Sequence, residues 1–374
     1  MSGETERLLD ATTALVPPLL AALDALEDAK RQLHPMNVAG LAASAAGCRQ
    51  PLADGLAAFE SAPWPERLRR FADYSREAAG HAIQALDGLT GAAGLDNPAP
   101  GAWRALGKLS RATEALYPVS AMLPAVSRHF VHPAHRDDES LAARLADADP
   151  GREEVGIVHS ANRTDQRGGF SLYVPEYHRG EPCPLVVALH GGSGHGRGFL
   201  WTWLRDARTR GLILLSPTSR AATWSLMGPD IDSPNLDAMV ERIKAQWNVD
   251  PERVLLTGIS DGGTFCFLTG LRDDAPFTHL APCSASFHPM LLEMASRRRL
   301  SGLPVYLVHG ALDWMFPVEV ARIARDALAA AGAEVEYREI GDLSHTYAWE
   351  ENDRIVDWLK GRPIQKPPLD ARLR

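Results

Sequence analysis

The pattern of hydrophobic positions differs between the two parts of the chain. Before about residue 150, alanine and leucine recur at three- and four-residue spacing, which predicts amphipathic helices. Pro17 and Pro18 interrupt the first apolar stripe and predict a break or restart of that helix. A second helix is predicted to begin near residue 65 and a third to end at Pro118. Between them, the glycine- and proline-rich stretch 91–102 predicts a loop.

From about residue 153, short apolar runs alternate with helical patterns. Seven runs predict strands, at 155–160, 170–175, 185–190, 212–217, 254–258, 305–310 and 335–340. Helical patterns lie between them, at 198–209, 235–247, 262–271, 317–331 and 349–360. Several strands are continuously apolar, as expected for strands covered on both faces.

This alternation predicts an α/β fold, with a mostly parallel sheet and helices on both faces. The first two strands follow one another closely and predict an antiparallel start. We therefore predict two domains, an all-helical one over residues 1–150 and an α/β one over residues 151–374. The charged segment 135–151 is predicted to connect them.

Composition narrows the classes of function. Hydrophobic residues make up 45% of the chain and charged residues 23%, as in ordinary soluble globular proteins. A net charge of −8 argues against a nucleic-acid partner. The four cysteines are widely spread without CxxC spacing, so we expect no metal site. The acidic N-terminus and the lack of a long uninterrupted apolar run predict a cytoplasmic protein without signal peptide or membrane insertion.

The segment LLTGISDGG points to nucleophilic catalysis. An apolar strand ends at Gly258, Ser260 follows between small residues, and a helical pattern starts after Gly262. A serine on such a strand-to-helix turn is exposed at the carboxyl end of the sheet, where ligands bind in this class of fold. A plain turn is the alternative. The N–H of Asp261, at the start of the following helix, is a candidate oxyanion donor.

A second strand leads into a glycine loop, LHGGSG. Few side chains block the backbone N–H groups of this loop, which also suits an oxyanion hole. Gly192 is the first candidate donor and Ser193 the second, whereas a flexible glycine turn is the alternative interpretation. His190 and Ser193 are also candidate substrate-binding residues.

The acid and base candidates lie later in the chain. Asp313 follows the strand VYLVHG, and its alternative role is to cap the next helix. His345 follows the last strand and comes after the acid, which matches the order nucleophile, acid, base. The rival acid is Asp342, which we expect to hold the loop instead. The rival histidines are His190, His309 and, more weakly, His288.

These segments, in their order, resemble the α/β-hydrolase superfamily. The resemblance covers roughly residues 153–360 and is strongest to the phospholipase/carboxylesterase and polyhydroxybutyrate-depolymerase-like esterases, which overlap with dienelactone-hydrolase-like proteins. It implies Ser260 as nucleophile, His345 as base and Asp313 as acid, with Gly192 and Asp261 in the oxyanion hole. Dienelactone hydrolases carry cysteine at the elbow, where this chain has serine. The helical part has no counterpart in the simple members of these families.

The resemblance implies a serine hydrolase of small or medium acyl or aryl carboxylic esters that forms an acyl-enzyme and needs no cofactor. Thioesterase or lysophospholipase-like activity, peptidase or amidase activity, and a non-enzymatic protein with a relic hydrolase domain are the alternatives. The helical part is predicted to be a dimer arm of a homodimer, a packed support or a lid. Aromatic and apolar side chains near the predicted site are candidate pocket residues, with ordinary packing as the alternative: Trp224, Met227, Trp314, Phe316 and Tyr347.

Overall fold

The computed structural model describes residues 3–149 and 151–361, and its contacts divide the chain into two compact units. The first unit takes the described residues through Glu153 together with Gly310–Met315 and Gly341–Thr346. The second takes the described residues of Glu154–His309, Phe316–Ile340 and those from Tyr347 onward. The predicted domain boundary at residue 150 lies outside the described residues, and the division into 1–150 and 151–374 stays a prediction.

Seven α-helices form the first unit among the described residues. They are α1 (Gly3–Arg31), α2 (Val38–Ala46), α3 (Arg49–Glu60), α4 (Arg69–Ala93), α5 (Pro98–Leu116), α6 (Pro124–His129) and α7 (Glu139–Ala146). The predictions missed α2, α3 and α6, and α7 lies inside the segment that was predicted to be a connector. Asp138 starts α7 by accepting a hydrogen bond from the N–H of Leu141, a helix cap that the charged composition concealed.

The predicted break at Pro17 and Pro18 is wrong, because α1 continues through both prolines. Leu15 and Leu19, on either side, are fully buried, so packing outweighs the local cost of proline inside a helix. Pro18 has no N–H to bond the carbonyl of Ala14, four residues earlier. Gly55 of α3 lies against that carbonyl, where a Cβ atom would overlap the oxygen.

The predicted loop 91–102 is also mostly helical. Residues 91–93 complete α4, and Pro98 opens α5 at a position where proline is well tolerated. Gly94 is the C-cap of α4, whereas Gly101 lets α5 approach α4 closely, because a Cβ atom there would lie 2.9 Å from the Cβ of Ala92. A Cβ atom at Gly88 would lie 3.0 Å from the Cβ of Ala105.

By length and hydropathy, α1 could cross a membrane, although it contains no long uninterrupted apolar run. Its buried face, which includes Leu19, Leu23 and Leu26, is fully covered in the first unit. Core helices of soluble proteins and N-terminal signal sequences meet the same two criteria, so α1 alone is weak evidence for a membrane span. The predicted cytoplasmic location and the absence of membrane insertion stay predictions.

The second unit contains an eight-stranded mixed sheet. The strands are β1 (Gly156–Ser160), β2 (Phe170–Val174), β3 (Cys183–Leu189), β4 (Ile213–Pro217), β5 (Val249–Ile259), β6 (His279–Cys283), β7 (Pro304–Gly310) and β8 (Glu334–Ile340). Their order is β1-β2-β4-β3-β5-β6-β7-β8. β1 and β2 pair antiparallel, as predicted, and β2 also pairs antiparallel with β4. The pairs β4–β3, β3–β5, β5–β6 and β6–β7 are parallel. The predicted α/β fold class is therefore confirmed.

Seven α-helices accompany the described sheet. They are α8 (Gly196–Phe199), α9 (Leu204–Arg210), α10 (Ser233–Gln246), α11 (Asp261–Gly270), α12 (Arg297–Leu300), α13 (Val318–Ala330) and α14 (Asn352–Leu359). Every residue of β3 is buried, which explains its continuous apolar sequence. The predictions missed β6, whose short sequence contains Pro282, a residue that is unfavourable inside a sheet.

The register of the central strands places two predicted segments side by side. Leu189, the last residue of β3, pairs with Gly258 near the end of β5. The glycine loop after β3 and the turn that carries Ser260 therefore leave the sheet at the same edge.

Candidate active site

The backbone of Ser260 has a conformation that non-glycine residues rarely adopt. Its φ is 56° and its ψ is −122°, between β5 and α11. Its N–H donates to the carbonyl of Cys283 at 3.1 Å, and its own carbonyl accepts from Thr264 at 2.8 Å. Strain of this kind persists only where the surroundings enforce it, and it concentrates at functional sites. The turn presents the serine as a nucleophile elbow would.

The glycines around Ser260 are required by close backbone approach. A Cβ atom at Gly258 would lie 2.7 Å from the carbonyl carbon of Gly262. A Cβ atom at Gly262 would lie 2.6 Å from the carbonyl oxygen of Leu189. Real Cβ atoms do not come so near, so the Gly-x-Ser-x-Gly spacing is needed for β3, β5 and α11 to pack.

The loop after β3 approaches the serine. A Cβ atom at Gly191 would lie 3.5 Å from the Cβ of Ser260. The N–H of Ser193 donates to the carbonyl of Ala222 and that of Gly194 to the carbonyl of Gly191, each at 3.0 Å. These bonds leave the N–H of Gly192 as the better candidate donor of the loop, in agreement with the order of preference from the sequence.

Asp261 lies at the start of α11, beside this loop. The first bond of the helix runs from Thr264 to Ser260, so the N–H of Asp261 belongs to the first turn, whose donors have no intrahelical partner. Its carboxylate accepts a hydrogen bond from the hydroxyl of Thr223 at 2.5 Å. A Cβ atom at Gly192 would lie 2.7 Å from the same carboxylate, so glycine lets the loop and this side chain lie close together.

His190 holds the loop and is not exposed to a ligand. Its Nδ1 lies 2.7 Å from the carbonyl oxygen of Gly191, and its Nε2 accepts from the N–H of Ser219 at 3.1 Å. Burial lowers the pKa of His190 to about 3, so the ring stays neutral. With both ring nitrogens engaged and 1% of the residue exposed, neither the base role nor substrate binding suits His190.

Arg167, between β1 and β2, is a residue of this site that the sequence predictions missed. Its guanidinium donates to the carbonyls of Gly194 at 3.0 Å and Ser219 at 3.1 Å, and to the hydroxyl of Ser219 at 2.7 Å. It therefore ties the glycine loop to the loop after β4. No motif marks this arginine, since its partners lie 27 and 52 residues away.

Asp313 and His345 form a buried pair within the first unit. The Nδ1 of His345 lies 2.8 Å from Oδ2 and 3.0 Å from Oδ1 of Asp313. The N–H of Met315 donates to Oδ1 at 2.9 Å. A carboxylate in this position holds the proton on Nδ1 and leaves Nε2 able to accept one. Helix α13 has Pro317 as its N-cap, so the alternative role of Asp313 as a helix cap is not seen.

The rival residues are engaged elsewhere. His309 bonds the carbonyl of Phe316 at 2.9 Å, and His288 accepts from the N–H of Met290 at 3.2 Å. The carboxylate of Asp342 lies 3.2 Å from the guanidinium of Arg31. Asp342 thus holds its loop, as the sequence led us to expect.

The candidate pocket residues differ in exposure. Trp224 is 4% exposed, stacks on Phe265 at 5.2 Å and donates to the carbonyl of His190, so it packs in the core. Tyr347 is also buried and donates to Asn352 at 3.0 Å. Trp314 and Met227 are exposed, and Phe316 is half-buried. Ordinary packing therefore describes Trp224 and Tyr347, and Trp314, Phe316 and Met227 stay candidates.

One group of side chains in the second unit could hold a metal ion. The Sγ of Cys183 and the Oε1 of Glu181 each lie 3.4 Å from the Nδ1 of His178. Burial raises the pKa of Cys183 to about 11, which keeps the thiol protonated. Cys183 begins β3, whereas Ser193 and Ser260 follow the carboxyl ends of their strands, so this group lies away from the candidate site.

Comparison with known proteins agrees with this architecture. Residues 232–361, about a third of the chain, match the Phospholipase/Carboxylesterase family, and this region contains Ser260, Asp313 and His345. The chain is 26% identical over 219 residues to "Acyl-protein thioesterase 1" of Gibberella zeae, covering 49% of this chain and 91% of the relative. The resemblance stated from the sequence is thus confirmed.

A second relative matches a shorter region. The chain is 26% identical over 136 residues to "Bifunctional acetylxylan esterase/xylanase XynS20E" of Neocallimastix patriciarum, covering 35% of this chain and 19% of the relative. The chain thus spans only about a fifth of that protein. A solved structure described as a thermostable esterase overlaps with a TM-score of 0.46 at 20% identity, covering 55% of this chain and 62% of the other.

Proposed function

Because the carboxyl-terminal region of the chain is an α/β-hydrolase of the esterase kind, we propose that the protein hydrolyses carboxylic esters through an acyl-enzyme on Ser260. The observation that carries this proposal is the strained backbone of Ser260 at the turn between β5 and α11. The buried pair of His345 and Asp313 supplies the base that a serine nucleophile needs.

The proposed reaction has two halves. His345 takes the hydroxyl proton of Ser260 through Nε2, and the serine oxygen bonds to the carbonyl carbon of the ester. The N–H groups of Gly192 and Asp261 stabilise the oxyanion. The tetrahedral intermediate then expels the alcohol, which takes the proton from His345, and leaves the acyl group on Ser260. Water, deprotonated by His345, releases the acid by the same steps.

The substrate is proposed as a class. A carboxylic ester with a small or medium acyl or aryl group suits the exposed Trp314 and the half-buried Phe316 near the acid. A thioester is the second candidate, favoured by the relative of which the chain covers 91%. One experiment distinguishes ester or thioester hydrolysis from peptide or amide hydrolysis and from a non-enzymatic role.

The experiment compares p-nitrophenyl esters from acetate to decanoate, an acyl thioester and an aminoacyl p-nitroanilide. We expect Ser260→Ala to lower ester turnover about a thousandfold or more, since the nucleophile is lost. Ser301→Ala, an exposed serine of the same unit, is the matched control and should retain turnover. A fluorophosphonate should add to the wild type once, and not to Ser260→Ala.

The outcomes separate the candidates. If no ester or thioester releases its alcohol or thiol in a manner that depends on Ser260, the proposal is wrong. Release from the anilide alone would favour the peptidase, and no release from any substrate would favour the relic domain.

A further inference from the structure

The helical region of this protein has a specific connection to the segment that carries His345. Asp342 and Thr346, which stand on either side of His345 in the chain, both bond Arg31, the last residue of α1. A guanidinium nitrogen of Arg31 lies 3.2 Å from Oδ1 of Asp342. The hydroxyl of Thr346 donates to the carbonyl of Arg31 at 2.8 Å.

The hydroxyl of Thr346 supplies a hydrogen-bond donor to the carboxyl end of α1. The last carbonyls of an α-helix have no intrahelical donor and require another partner. Thr346 is 2% exposed and Arg31 is 8% exposed, so this bond is shielded from water. Breaking it would leave a buried carbonyl without its side-chain donor, which is costly.

The ion pair of Arg31 and Asp342 restrains the position of the segment that carries His345 and adds little to the stability of the protein. The Asp342 side chain is 63% exposed, and ion pairs with such exposure stabilise proteins little. The Arg31 side chain is 9% exposed and held by its surroundings, so the carboxylate meets a fixed partner. Together the two bonds hold the segment at Asp342, three residues before His345, and at Thr346, one residue after it.

The segment with the acid is tied to the same place. The N–H of Leu312 donates to the carbonyl of Leu343 at 2.9 Å. A Cβ atom at Gly310 would lie 2.7 Å from the carbonyl carbon of Leu343, so the two backbones are in direct contact. Restraint at Asp342 and Thr346 therefore acts on the whole acid–base pair.

We propose that the carboxyl end of α1 positions His345 for catalysis, with Arg31 and Thr346 as positioning residues. This inference rests on the proposed function, because it gives the helical region a role in the same reaction. Of the roles considered for that region, it favours a packed support. The helical part has no counterpart in the simple members of the families that the sequence resembles, and the base segment is bonded to its first helix.

The experiment uses the full chain and two single variants. Thr346→Val keeps the shape but removes the hydroxyl, and Arg31→Met removes the guanidinium but keeps the backbone carbonyl. We expect each to lower kcat for p-nitrophenyl ester about tenfold with KM unchanged, since loss of alignment acts on the chemical step. Thr346→Ser, which keeps the hydroxyl, should restore most of kcat.

Two controls match the variants. Thr12→Val removes a hydroxyl that donates to a carbonyl within α1, and Arg49→Met breaks an ion pair with Asp87 elsewhere in the first unit. Both should leave kcat unchanged. Amide hydrogen exchange of the 341–347 peptide should quicken in Thr346→Val and Arg31→Met, and not in the controls.

Hydrogen exchange makes the result independent of the proposed function. If the folded Thr346→Val and Arg31→Met variants exchange this peptide at the wild-type rate, the inference is overturned whatever the activity. Wild-type kcat in both variants would also overturn it. If exchange quickens but the wild type shows no Ser260-dependent turnover, the anchoring stands and the proposed function fails.

Discussion

At the residue scale, the candidate site depends on single positions whose surroundings leave little choice. Ser260 takes a left-handed backbone conformation, and Gly258, Gly262 and Gly192 stand where a Cβ atom would meet a neighbour. Arg167 holds the carbonyls of the loops that bring these positions together. Arg167 and the glycines carry no proposed reaction step, yet they place the groups that do.

Arg167 provides a prediction at this scale. Arg167→Met removes its bonds to Gly194 and Ser219, so the glycine loop loses a fixed position, and kcat/KM for p-nitrophenyl ester should fall about tenfold or more. Steady-state kinetics on the folded variant measures this. Arg163→Met is the control, because Arg163 lies in the same connection but is exposed and paired with Asp165. Equal losses in both variants would contradict the role of Arg167.

At the element scale, packing decided where helices continue. α1 runs through two prolines because its buried leucines face other helices, and α3 approaches it through Gly55. Local propensity favours a break at the prolines, but it amounts to a few kcal/mol, and burial of several leucines contributes more. α4 and α5 likewise continue across glycines, of which Gly88 and Gly101 lie where these two helices approach closely.

The contact of α1 and α3 gives the second prediction. Gly55→Ala adds a Cβ atom that overlaps the carbonyl of Ala14, so the free energy of unfolding should fall by about 2 kcal/mol. Urea unfolding followed by circular dichroism measures the change.

Gly80→Ala is the matched control, because a Cβ atom at Gly80 in α4 meets nothing within 4 Å. It should stabilise the protein by about 0.5–1 kcal/mol, the usual gain for alanine over glycine in a helix. Stabilisation by both substitutions would show that α1 and α3 do not pack as described.

At the scale of the whole molecule, the two units each contain part of the proposed chemistry. Ser260 and the glycine loop belong to the second unit, and Asp313 and His345 are grouped with the helices of the first. The homodimer through the helical region stays a prediction. Within the second unit, Asp206 links α9 to α14 by accepting from Asn352 at 3.0 Å.

The buried Asp206 predicts how stability depends on pH. Burial raises the pKa of Asp206 to about 7, so between its ordinary value and about 7 the folded state binds more protons than the unfolded state. The contribution of Asp206 to the free energy of unfolding is fully present below pH 4. It is lost as the pH rises to 7, by roughly 1 kcal/mol per pH unit. Asp206→Asn removes this loss and can still accept from Asn352.

Urea unfolding at pH 5, 6, 7 and 8 tests this prediction. Relative to the wild type, Asp206→Asn should gain stability steadily from pH 5 to 7. Asp165→Asn, at an exposed carboxylate, should show no such trend. Parallel curves for the wild type and Asp206→Asn would mean that Asp206 does not carry the pH dependence.

The sequence by itself determined the features that depend on neighbours along the chain. The alternation of apolar strands and helices predicted the α/β sheet, and the spacing of glycines around Ser260 predicted the sharp turn, because both follow from local sterics and burial. The positions of Ser260, Asp313 and His345 after predicted strands could likewise be read from the sequence, and their roles as nucleophile, acid and base stay a prediction.

Only the tertiary structure decided which distant groups meet. It showed that Asp313 bonds His345, that Asp342 pairs with Arg31, and that His190 is buried and supports its own loop. These choices rest on contacts across 311 residues for Arg31 and Asp342 and 29 for His190 and Ser219. No local pattern encodes them, because a side chain's partner is set by how whole elements pack, and packing energy is shared among many residues.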